Sequence, residues 1–168
     1  MNARTLAAIG LLAPAIAGAQ GAFPSKPIRI VVPYPPGGAN DVVARIVGEG
    51  LTKSLKQQAN IDNRGGAGGI IGTQLVADAA PDGHTLLFTS AAHAINPALY
   101  KSLPYDSVTS FEALTVVGEG AYVLLTHPAI PAATVKDLVA LARRRPGQLT
   151  FASAGIGNAT HLAGELLK

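Results

Sequence analysis

The run Ile28-Arg-Ile-Val-Val-Pro33 is rich in β-branched residues and bounded by Pro27 before it and Tyr34-Pro-Pro-Gly-Gly38 after it. Such a run between turn residues predicts a strand. Apolar residues then fall at Val43, Ile46, Val47, Leu51 and Leu55, the spacing of one helix face, and Asn40-Asp41 stands where a cap belongs. Ala59-Asn-Ile-Asp62 predicts a short strand, Gly65 to Gly69 a turn, and Ile71, Leu75, Val76 and Ala79 a second helix. Pro81-Asp-Gly83 is turn chemistry, and Thr85 to Ser90 predicts another strand. Strand, loop and helix in repetition predict a mainly parallel sheet with helices on both faces.

A second unit is expected after Phe111. Leu114 to Val117, Tyr122 to Thr126 and Leu149 to Ala152 read as strands. Thr134 to Arg145 reads as a helix with Thr134 as its N-cap, ended by Pro146-Gly147. A glycine-rich loop from Ser153 to His161 then opens a last helix. The expected divisions are a leader over 1–22, a first α/β lobe over 23–112 and the start of a second over 113–168.

The leader has three parts in order: a positive start with Arg4, an apolar run from Leu6 to Ile16, and Ala17-Gly18-Ala19. That is the pattern of a secretory signal peptide cleaved after Ala19, too short for a membrane span. No later stretch is apolar enough to cross a bilayer, so the mature chain is expected not to insert in a membrane. Cysteine is absent, which excludes disulfides, a thiol nucleophile and a lipid anchor on cysteine. Export without cysteine points to the periplasm. The net charge of +3 is scattered, and Arg143-Arg144-Arg145 closes a helix, where cations complement the dipole. This is no nucleic-acid stripe.

Three times a strand feeds a glycine-rich turn that opens a helix: Pro35 to Asp41, Gly65 to Gly72 and Ser153 to His161. Glycine lets backbone approach a ligand, and a helix mouth adds unpaired N–H donors and partial positive charge. Such a mouth suits a carboxylate or phosphate. None of the loops ends in Gly-Lys-Ser/Thr, and none spaces its glycines as a dinucleotide fingerprint does, so no nucleotide cofactor is expected. The middle loop reads best as a packing connector. Asp41 is expected to shape the first loop, since a carboxylate repels an anion. His161 and Glu165 are one helical turn apart but lack a third ligand, and His84, His93 and His127 are scattered, so no metal is expected. Ser153 lacks the first glycine of a nucleophile elbow. A secreted hydrolase- or dehydrogenase-like α/β enzyme using these loops for an anionic substrate is the alternative to a binding protein.

The stretch Pro27-Ile-Arg-Ile-Val-Val-Pro-Tyr-Pro-Pro-Gly-Gly-Ala-Asn-Asp41 resembles the first strand and ligand loop of Bug-type receptors, the periplasmic substrate-binding proteins of tripartite tricarboxylate transporters. The likeness continues through Asn63-Arg64 with Gly66-Ala-Gly-Gly69, Pro81-Asp-Gly-His-Thr-Leu-Leu87, Asn96-Pro-Ala-Leu-Tyr100, Leu103-Pro-Tyr-Asp106, Pro146-Gly-Gln-Leu149 and Gly155-Ile-Gly with His161-Leu-Ala-Gly-Glu165. The resemblance implies a type II periplasmic binding protein: two doubly wound lobes that close over a small di- or tricarboxylate, with no catalysis. It implies a loop from each lobe gripping the ligand through backbone amides and water, and membrane permease subunits or a sensor protein as partner. The candidate site is then Tyr34, Pro36, Gly37, Gly38, Ala39 and Asp41, with Ser90 and Ala91 after the third strand. From the last loop come Ser153, Ala154, Gly155, Gly157, Thr160 and His161. The chain departs from the family at Gly65 and in Glu112-Ala-Leu114, where proline is usual. Two such lobes need about 250 to 300 residues. With 168 residues, the chain reads as a truncated copy whose second lobe is incomplete and which binds weakly or not at all.

Overall fold

The computed structural model describes residues 22–153 and 158–168. The expected leader through Ala19, and the candidate site residues Ala154, Gly155 and Gly157, lie outside the described residues.

Strand β1 (Ile28–Val32) is the middle of a three-stranded, all-parallel sheet, flanked by β2 (Ala59–Asn63) and β3 (Thr85–Leu87) in the order β2-β1-β3. A central parallel strand is covered on both faces, which is why β1 is nearly all aliphatic. Ile28, Ile30, Val31 and Val32 are buried. Arg29, its one polar residue, pairs with Asp62 of the neighbouring strand. Helix α1 (Ala39–Leu55) lays Ala44 and Gly48 onto this sheet, with Leu51 and Leu55 packed below. Gly48 permits the approach: a Cβ there would stand 3.1 Å from the Ile61 side chain.

The start of α1 corrects the expected cap. Gly38 is the N-cap, without a side-chain hydrogen bond, and Asp41 lies within the first turn. Its carboxylate turns back to the loop, accepting from the Gly37 amide at 2.8 Å. The middle glycine loop packs as expected of a connector. A 3₁₀ turn (Ala67–Gly69) leads into α2 (Ile70–Ala77). A Cβ on Gly72 would stand 2.6 Å from the Arg64 carbonyl oxygen and 2.8 Å from the Pro33 side chain.

Strand β3 is shorter than expected. Phe88 still donates to the Val31 carbonyl, but Thr89 and Ser90 leave the sheet for α3 (Ala92–Leu99), which the sequence reading did not foresee. Its internal Pro97 disguised it. Tertiary contact overrides that cost: Asn96, 2% exposed, donates to the Gly68 carbonyl at 3.2 Å.

The three strands expected at 114–117, 122–126 and 149–152 are not formed. Among the described residues no strand follows β3. Strand structure needs a neighbour's N–H and C=O groups, and among the described residues these segments are paired with none. Their apolar side chains stand open, Val116 at 77% and Leu125 at 84% exposure. Helix α4 (Val135–Arg144) forms as expected, with Thr134 and Asp137 in a reciprocal capping box. Helix α5 (Ala159–Leu167) is capped by Asn158 and carries Gly164 against the Phe151 ring.

Candidate functional site

Strand order β2-β1-β3 places a reversal of direction between β1 and β3. One connection leaves β1 toward β2, and the next crosses back to the far side. Ligands of open α/β sheets bind outside the carboxyl ends of strands at such a switch point. Here those ends are the Tyr34–Asp41 loop and Thr89–Ala91. The fold thus brings the first loop and Ser90 together. The Tyr34 hydroxyl lies 2.8 Å from the Ser90 Oγ and 3.4 Å from the Thr89 Oγ1, bridging the two strand ends. Tyr34 is buried, so its ring serves packing as well as the rim.

Pro36, Gly37, Gly38 and Ala39 are exposed along the loop, and Ala91 is exposed beside them. Gly37 holds φ +83°, a conformation that favours glycine and turns the chain into α1. The first amides of a helix have no partner within it. With no side-chain cap on α1, those of Gly38, Ala39 and Asn40 are donors at its mouth. Gly37 is different, because its amide is taken by Asp41. Asp41 also accepts from Arg45 Nε at 3.1 Å. The Arg45 guanidinium first, and the Gly37 amide next, lower the Asp41 carboxyl to about 2. Arg45 donates further to Asn63 Oδ1 at 3.4 Å, and Asn63 Nδ2 donates to the Tyr34 carbonyl at 3.2 Å. Sequence reasoning missed Arg45 as part of this site. Its position one helical turn after Asp41 was the available sign.

The last loop is described only at its ends. Ser153 is exposed. The Thr160 amide and hydroxyl both donate to Asn158 Oδ1 at 3.1 Å, so its hydroxyl serves the start of α5. His161 lies 3.6 Å from Glu165 and beside the Phe151 ring. Gly155 and Gly157, which decide whether this loop shares a cleft with the first, lie outside the described residues.

Residues 43–168 match the model of the tripartite tricarboxylate transporter family receptor, TctC. The chain belongs to this family. Among curated relatives of the receptor family, Protein BugT of Bordetella pertussis is 38% identical over 165 residues, covering 97% of this chain and 50% of its own length. MatC from Rhodopseudomonas palustris, solved with bound malate, is 31% identical with a TM-score of 0.76, over 86% of this chain and 50% of that one. The R. palustris protein Rpa4515, solved with adipate, is 30% identical with a TM-score of 0.71, over 86% of this chain and 48% of that one. The chain thus has the α/β fold of periplasmic binding proteins and spans about half the length of the curated relatives it matches.

Proposed function

We propose that this chain is the ligand-receiving part of a periplasmic receptor for a small dicarboxylate, exported by its N-terminal leader and serving the permease subunits of a tripartite tricarboxylate transporter. Residues 23–112 make one lobe, and 113–168 begin the other. One carboxylate of the ligand docks on the amides of Gly38, Ala39 and Asn40. The Ser153–His161 loop, with the backbone of Ala154, Gly155 and Gly157, receives the other end. The observation that carries this reading is the uncapped mouth of α1 at the switch point of the sheet. The acids bound by the two R. palustris neighbours are of the same chemical class. Recognition is by backbone donors, so the reading is a receptor that releases its ligand unchanged.

The apolar side chains left open between Leu114 and Leu125 count against firm closure of two lobes around the ligand. Binding by this chain is therefore weak. Isothermal titration with malate, adipate and a tricarboxylate tests both parts. Weak binding with the acid recovered intact is expected. Tight binding overturns the weakness, and consumption of the acid overturns the receptor.

A further inference from the structure

The proposed anion site contains a carboxylate of its own. Asp41, 3% exposed, sits in the first turn of α1, directly behind the amides offered to the ligand. Left bare, it would repel a dianion at a distance of only a few ångströms. Arg45 stands one turn on. Its Nε donates to Asp41 Oδ2, the oxygen that also holds the Gly37 amide, and its Nη2 lies 3.0 Å from Oδ1. The same guanidinium reaches Asn63 at the end of β2, and Asn63 holds the Tyr34 carbonyl at the start of the loop. The loop is thus tied at Tyr34 and at Gly37 by one connected set of contacts through Arg45.

A helical i, i+4 ion pair on a surface is ordinarily worth little. Two features set this one apart. A carboxylate in a first turn is already favoured by the helix dipole, so Asp41 needs no cation for the sake of the helix. It is also nearly buried, whereas its partner is half exposed and linked to a second strand. We infer that Arg45 is a positioning residue for anion binding: it holds Asp41 on the Gly37 amide and cancels its charge, leaving the Gly38–Asn40 amides to a dicarboxylate. The inference rests on the reading of the α1 mouth as the ligand site.

Amide NMR on the full ¹⁵N-labelled chain tests it, with malate as the dianionic probe and acetate as the monoanionic one. Arg45→Gln is expected to weaken malate binding about tenfold, and acetate binding by less. Adding Asp41→Asn to that variant restores most of the affinity, because the amide oxygen still accepts from Gly37 and the repelling charge is gone. Arg45→Lys, which keeps the charge but loses the planar fork, recovers affinity in part. Malate affinity equal to wild type in Arg45→Gln, or no recovery in the double variant, overturns the inference.

The Gly37 amide gives a second readout that needs no ligand. In the wild type its resonance holds steady from neutral pH to about 4, and in Arg45→Gln it moves between about pH 5 and 3, as Asp41 returns toward its ordinary range. An identical profile in the two proteins overturns the inference. If neither malate nor adipate perturbs the wild type, the proposed function fails, and the Gly37 profile alone then decides the role of Arg45.

Discussion

Asp41 and Asp82 are held down by the same means in two different places. At Asp82 it is first the Lys26 ammonium, 2.7 Å away, and then the His84 amide that lower the carboxyl to about 2. A carboxyl whose pKa is depressed in the folded chain adds stability above its unfolded value of about 3.9, and that stability is lost as the pH falls toward the folded value. The chain is therefore expected to keep its thermal stability from neutral pH to about 4 and to lose it between about 4 and 2. Asp82→Asn should flatten part of that decline in melting curves taken across this range. A decline equally steep in the variant would remove Asp82 from the account.

Elements hold together here by close approach at particular glycines, and Gly50 of α1 and Gly72 of α2, with opposite surroundings, make a paired test. Gly72→Ala drives a methyl into the Arg64 carbonyl and Pro33, and should cost about 1–3 kcal/mol in thermal unfolding. Gly50, exposed on α1, has nothing within 4 Å of an added Cβ, so Gly50→Ala should stabilise by about 0.5–1 kcal/mol. What was legible in the sequence follows the same division between local and distant causes. β1, α1, β2, α2 and α4 were readable because aliphatic runs, a 3.6-residue stripe and turn residues state them locally. The turn of the first loop into α1 was readable for the same reason, from Pro35-Pro-Gly-Gly38 directly before the helical stripe. Helix α3 was not, since its stability comes from Asn96 reaching a carbonyl in a distant loop. Three segments were read as strands because side-chain pattern alone cannot supply a neighbouring strand. Arg45 was missed because its role depends on a contact with Asn63 across two elements.

For the whole molecule the sheet and its helices cover one end of the chain, and the stretch from Leu114 to Leu125 carries open apolar side chains. Exposed apolar patches of this kind bind hydrophobic dyes and promote association. Val116→Lys and Leu125→Lys should reduce dye binding and light scattering while leaving the melting temperature nearly unchanged, since exposed surface positions contribute within about 0.5 kcal/mol. A large fall in melting temperature would mean that these side chains are packed in solution. The proposed binding belongs to the same scale, because the proposal calls for the helix mouth, the strand ends and the last loop in one cleft. Its most direct test is the amide spectrum of the full chain titrated with malate. Saturating shifts concentrated at Gly38, Ala39 and Asn40 are the predicted result; no shifts at these amides, with or without shifts elsewhere, would contradict it.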